Sequence, residues 1–260
     1  MNSVFAVFRR EMKAYFTSPI AYVVIGVFLL LGGYFFHTML AWFLKNALQQ
    51  FEYAQMYQMA PPPMNINDMV IRSLLGTMAI TILFIMPLIT MRLIAEEKKN
   101  GTIELLMTSP ITPTQWVLGK YLASVVLLLC MILPNFGLVC LLFMYGNPEF
   151  LPVLSGYLGL ILMGASFLSV GTMISSFTEN QIVAGAVSFF AFLMFWVIDF
   201  VSELGSGPLY DFIGYMSMIS HFDGFAKGVI DTSSLVFYLS VIGLGLFFTR
   251  QQIESLRWRL

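Results

Sequence analysis

The stretch Arg92–Lys120, "RLIAEEKKNGTIELLMTSPITPTQWVLGK", holds seven of the chain's 27 charged residues, although only 10% of the 260 residues are charged and 58% are hydrophobic. Three turn signals divide it. Asn100–Gly101 follows the basic pair Lys98–Lys99, so cations sit on the negative end of a helix that stops at a glycine free to take positive φ. Pro110 ends the short run "TIELLMTS" (Thr102–Ser109). Thr112, Pro113 and Gln115 then read as N-cap, N1 and N3 of a capping box that starts a new helix. The expected order is helix, short transverse helix, helix.

On both sides of this stretch the chain is strongly apolar. It has 25 Phe and 18 Met, and long apolar runs recur throughout. No water-soluble core absorbs so much apolar surface, so the fold class is an all-α polytopic membrane protein. Six spans are expected: Ile20–Phe43, Met69–Leu93, Trp116–Tyr145, Pro152–Phe177, Ile182–Val201 and Leu235–Thr249. The last gives only ~22 Å of helix and would need flanking residues or a locally thinned bilayer. The run after Pro19 exceeds a signal-peptide core and has no small-x-small cleavage site after it, so it reads as a retained first span.

Lys and Arg set the expected orientation. With the N-terminus inside, the inner face holds Arg9, Arg10, Lys13, Arg92, Lys98, Lys99, Lys120, Arg250, Arg257 and Arg259. The outer face holds Lys45, Arg72 and Lys227. Both termini, and the opening stretch, are therefore expected in the cytoplasm. A net charge of −1 gives no reason to expect a nucleic-acid partner. Cys130 and Cys140 fall in one apolar run, ~15 Å apart along a helix, too far to bridge each other.

The whole chain, 1–260, reads as one transmembrane domain with three specialised segments. In residues 1–19, Val4, Phe5, Phe8, Met12, Tyr15 and Phe16 share one helical face, with Arg9, Arg10 and Lys13 off it. That is the pattern of an in-plane amphipathic helix; a basic topology anchor is the alternative. Residues 94–115 are the cytoplasmic segment. Residues 202–234 are too apolar for a plain loop and too interrupted by Gly and Asp to span. They read as short outer helices, re-entrant or lying on the surface as a cap.

Residues 94–115 are long for a connector, since "TENQ" (Thr178–Gln181) suffices at the next inner turn. Their short helix carries Ile103, Leu105, Leu106 and Met107 beside Glu104. An apolar rib outside the bilayer suits a groove on a partner protein; a hairpin resting on headgroups is the alternative.

The run Glu96–Lys120 resembles the cytoplasmic segment of type-two (ABC-2) ABC transporter permeases. The matching features are Glu97, Gly101–Thr102, Glu104–Leu105–Leu106, Pro110 and Gly119–Lys120. "RREMKAYFTSPIAYVV" and "SHFDGFAKGVIDTSSLVFYL" are similar to the gliding-motility-associated branch, though that branch's usual proline near Met218 is absent. The resemblance implies that the short helix is a coupling helix. Glu97, Gly101, Thr102, Ile103, Glu104, Leu105, Leu106 and Pro110 would couple the chain to a separate ATP-binding subunit that holds ATP and Mg. It also implies a second permease chain, identical or paralogous, and a place in a bacterial inner membrane. The function expected is the permease of an ATP-driven transporter, an exporter. The alternative is an ATPase-coupled anchor of a gliding or envelope machine.

The chain itself has no phosphate-binding loop of the G-x-x-x-x-G-K-[S/T] type and no H-E-x-x-H. No catalytic site, resident cofactor or metal is expected on it. His37 and His221 are expected at the outer interface. Asp199 and Glu203 read as an outer acidic rim, and Asp68 with Arg72 as an i, i+4 pair. Pro134 and Asn135 would kink the third span and could shape a pathway. Gly164, Gly171, Ser175, Ala184 and Ser188 would allow close helix packing. No charge is expected at the bilayer midplane, which disfavours an ion-coupled carrier.

Overall fold

A computed structural model describes residues 2–60, 64–103, 111–203, 205 and 207–257. All regular structure among them is helical. Helix α1 (Asn2–Thr17) is followed, after a break at Ser18, by α2 (Pro19–Met56). A π-helical turn, Asn67–Arg72, leads into α3 (Ser73–Leu93) and a short α4 (Ala95–Lys99). Then come α5 (Pro113–Tyr145), α6 (Phe150–Phe177) and α7 (Gln181–Glu203). Two short helices, α8 (Pro208–Tyr215) and α9 (Met218–Ala226), precede α10 (Thr232–Arg257). Six segments are long and apolar enough to cross a membrane: α2, the π-turn with α3 and α4, α5, α6, α7 and α10.

Helix α6 is the centre. Of its most apolar window 78% is buried, against 22% for α7 and α10. Its sequence explains this. A Cβ on Gly171 would lie 2.4 Å from Thr90 Oγ1, and one on Gly159 would lie 2.6 Å from Phe225 Cβ. Bare backbone is thus what admits α3 and α9. Three buried hydroxyls of α6 bond within the helix: Ser166 donates to Leu162 O, Ser169 to Ser166 O and Thr172 to Leu168 O.

Two spans differ from their expected limits. The first continues past Phe43 to Met56 and is about 57 Å long, well beyond a hydrocarbon core of about 30 Å. Leu, Ala, Gln and Glu sustain the helix until just before the proline run, so polarity there marks emergence from lipid and not a loop. The last span runs Thr232–Arg257, not Leu235–Thr249. At about 39 Å it needs no thinning. Its extension past Thr249 is polar but helical, with Arg250 and Glu254 paired at 3.5 Å.

Candidate functional site

The site is built around the two ends of residues 101–111, on the face that carries α1. Helix α4 ends at Asn100, and Gly101 takes φ +68°, in the left-handed region. Thr102 Oγ1 donates to Glu97 O at 3.2 Å, and helix resumes at Thr102–Ile103. At the far end the expected capping box is complete. Thr112 Oγ1 accepts from Gln115 N at 3.3 Å, and Gln115 Oε1 accepts from Thr112 N at 3.1 Å. Glu104, Leu105, Leu106 and Pro110 lie outside the described residues.

The break between α3 and α4, at Ile94 (φ −123°), is pinned from α6. Ser175 Oγ accepts from Ile94 N at 3.2 Å and Ala95 N at 3.0 Å, and donates to Met91 O at 3.4 Å. Ser175 therefore does more than allow close approach: it replaces the backbone bonds the break removes.

The dominant feature is an ion cluster that the sequence did not disclose as a unit. Lys120, in the second turn of α5, is almost wholly buried, and its Nζ lies 3.0 Å from Glu97 Oε1 and 3.1 Å from Glu11 Oε1. Arg10 reaches the same two carboxylates at 2.6 and 2.7 Å. The four formal charges cancel. Burial alone would lower the Arg10 pKa, but its bonds to Glu11 and Glu97 outweigh that and raise it. The Trp116 ring lies 5.2 Å from Lys120 Nζ. Gly119, the neighbour, is what lets α1 come this close: a Cβ there would lie 2.7 Å from Val7 Cβ. The Gly-Lys pair thus has a joint physical reason. Glycine admits α1, and lysine is neutralised by α1 and α4 together.

Val7, Glu11 and Tyr15 line the side of α1 that faces the protein, while Phe5, expected on the apolar face, is 63% exposed. Val7, Leu93, Ile94, Trp116, Val117 and Ile253 form a second apolar cluster, apart from the main core. Ile103 packs against it, so this member of the expected rib faces the protein.

Asn135 is buried between α5 and α2. Its Nδ2 donates to Met131 O at 3.4 Å, and its side chain lies where a Cβ on Gly32 would be. Pro134 lies inside α5 beside it.

On the opposite face, Arg72 does not pair with Asp68. It binds Asp223 of α9 at 2.6 Å, and Lys227 binds the same carboxylate at 2.5 Å. The π-turn explains the change, because residues four apart no longer stack as in an α-helix. Burial alone would raise the Asp223 pKa, but the bonds from Lys227 and Arg72 hold it below the usual carboxylate value. Asp199 accepts from Ser217 Oγ at 3.0 Å and from Ser220 Oγ, fastening α7 to α9. His221, expected at the outer interface, is buried among other helices. Its ring stacks on Phe237, Nε2 donates to Tyr215 O at 3.0 Å, and Nδ1 lies 2.9 Å from Ser234 Oγ. His37 is exposed.

A family model described as "ABC-2 family transporter protein" matches residues 38–225, well over half of the chain. The match includes Glu97, Lys120 and the whole of α6, and begins after α1. No curated protein matches the chain.

Proposed function

The chain belongs to the ABC-2 family of transporter proteins, a transmembrane permease subunit, and on that premise we propose that residues 101–111 dock it to an ATP-binding subunit in the cytoplasm. One observation carries the proposal. The Glu97–Lys120 contact at 3.0 Å joins the last helix before the segment to the first helix after it. A connector that only reverses the chain has no use for such a clamp. A segment that receives force does, because force applied to it then reaches α3 and α5 together. Glu11 and Arg10 add α1 to the same rigid base.

In this reading both termini are cytoplasmic, as the Lys and Arg distribution favours. The direction of transport is outward, and a second permease chain, a copy or a paralogue, completes the pathway. ATP and Mg are bound by the partner.

The test is native mass spectrometry of the complex purified through its ATP-binding subunit, for the wild type and for Leu105→Asp. The wild type should carry two permease chains and two ATP-binding subunits. Leu105→Asp buries a charge without a partner, and should keep the permease pair while losing the ATP-binding subunits. Lys99→Ala, at an exposed lysine of α4, should change little, because a rim charge mainly tunes association rate. Full retention of the ATP-binding subunits by Leu105→Asp would remove the docking role from this segment. A complex with ATPase activity that moves nothing in vesicles would favour the envelope-machine anchor instead.

A further inference from the structure

At the corner where α1 turns into α2, a cavity of about 210 Å3 opens between α1, α2 and α3. Its two sides differ in chemistry. One is apolar: Ile20, Ala21 and Val24 from the first turns of α2, with Leu88 and Ile89 from the last turns of α3. The other is polar: Glu11 of α1 and Ser18 at the α1–α2 break, with Arg92 in the last turn of α3 and Glu96 in α4. The start of one span and the end of the next mark the level at which hydrocarbon gives way to headgroups. A molecule held there has hydrocarbon on one side and charge on the other.

The charges on the rim are arranged unusually. Arg92 and Glu96 are four residues apart and opposite in sign, and on a continuous helix they would pair with each other. The break at Ile94 (φ −123°) interrupts that helix. Both side chains line the cavity, and neither makes an ion pair or a side-chain hydrogen bond among the described residues. Glu11 is already held by Lys120 and Arg10. The rim therefore offers one cation and one anion, both uncommitted, above an apolar wall.

We propose that this cavity binds a zwitterionic phospholipid whose headgroup carries a primary ammonium, with its phosphate on Arg92, its ammonium on Glu96 and its acyl chains along the apolar wall. Each feature selects for part of that ligand. Arg is suited to phosphate oxygens. Glu96 takes hydrogen bonds from a primary ammonium and none from a quaternary one. A headgroup with negative charge alone would satisfy Arg92 but leave the Glu96 carboxylate beside it without a partner. The apolar wall distinguishes a lipid from its free headgroup, since only the lipid gains by covering it. The inference goes beyond the transport reading and does not depend on it.

The experiment uses the full chain in detergent and native mass spectrometry, with phosphatidylethanolamine, phosphatidylcholine and phosphatidylglycerol added in equal amounts. The wild type should retain phosphatidylethanolamine preferentially. Arg92→Gln should lower its retention about tenfold, and Arg92→Lys should restore part of it. Glu96→Gln should still bind lipid but lose the preference for phosphatidylethanolamine over phosphatidylglycerol. Arg250→Gln, an exposed arginine on α10, should bind as the wild type. Free phosphoethanolamine at millimolar concentration should not displace the lipid. The proposal fails if the wild type shows no headgroup preference, if Arg92→Gln matches Arg250→Gln, or if free phosphoethanolamine displaces the lipid. Should Arg92→Gln not fold, Glu96→Gln carries the test alone, because its expected effect is a change of preference. None of these readouts requires transport or ATP hydrolysis, so failure here is distinct from failure of the docking proposal.

Discussion

Gly119 of α5 lies against Val7 of α1 so closely that a Cβ on the glycine would fall 2.7 Å from Val7 Cβ and 3.0 Å from Val4 O. The neighbouring Lys120 is buried only because α1 sits in this place and presents Glu11. Packing and charge at this corner are one device. The glycine sets the distance at which the lysine can be neutralised.

Gly119→Ala should therefore cost about 1–3 kcal/mol, the usual range for overpacking, because the clash includes backbone and cannot be relieved by one rotamer. Gly26→Ala is the control. It has nothing within 4 Å of its Cβ, and should be neutral or stabilise slightly through helix propensity. Thermal unfolding in detergent checks both. Equal melting temperatures for the two variants would contradict the close approach of α1.

The opposite face should weaken in acid. The folded pKa of Asp223 is depressed by its bonds to Lys227 and Arg72. Its contribution is then fully present above the unfolded value of about 4 and is lost as pH falls through the lower folded value. The protection of amides in Met218–Ala226, measured as exchange relative to each amide's intrinsic rate at that pH, should fall on going from pH 7 to pH 3. In Asp223→Asn the protection should already be lower at pH 7, with a smaller change between the two conditions. An identical pH response in wild type and variant would assign the weakening to another group.

What was legible in the sequence was whatever depends on neighbours in the chain. The capping box at Thr112–Gln115 and the stop at Gly101 follow from side-chain chemistry within a few residues, and both are present. The apolar runs gave six spans because length and hydropathy are local too. Span ends were less legible. After Phe43 and Thr249 the residues turn polar without a helix breaker, and polarity alone does not end a helix. Contacts between distant residues were not legible. Lys120 was visible as part of a motif, but Glu11, 109 positions earlier, carried no signal that it would share the lysine with Glu97. Arg72 reads in sequence as the partner of Asp68 because a π-turn looks like an α-turn there. His221 carries no local sign of its burial, because its partners, Ser234 and Tyr215 O, come from other helices.

The orientation has a direct measure. Single cysteines at Ser3, Asn100 and Ser255, in a background with Cys130 and Cys140 replaced by serine, should label from the cytoplasmic side. A cysteine at Gln55, near the end of the long α2, should label from outside. Native Cys140 is exposed on the structure and would otherwise add signal. Labelling of Asn100 from outside would invert the chain and place the segment 101–111 beyond reach of any cytoplasmic ATP-binding subunit.

The clamp itself can be tested apart from docking. Lys120→Met leaves Glu11 and Glu97 facing each other with only Arg10, which is half exposed, to balance them. Removing one partner from a buried pair costs about 3–5 kcal/mol. Glu11 and Glu97 retain some solvent contact, so the expected loss is at or below the low end of that range. Glu97→Gln alone should cost less, since Lys120 keeps Glu11. Lys120→Met combined with Glu11→Gln and Glu97→Gln should recover much of the stability of Lys120→Met, because no carboxylate is then left unbalanced. If the clamp transmits force, that triple variant should fold and still bind the ATP-binding subunit, yet lose most substrate-stimulated ATP hydrolysis. Stability and coupling would then separate: the first restored by neutral packing, the second not. A triple variant with full stimulated hydrolysis would show that the cluster only holds α1 in place, and that the movement of α3 and α5 is carried by the apolar cluster around Trp116 and Ile94.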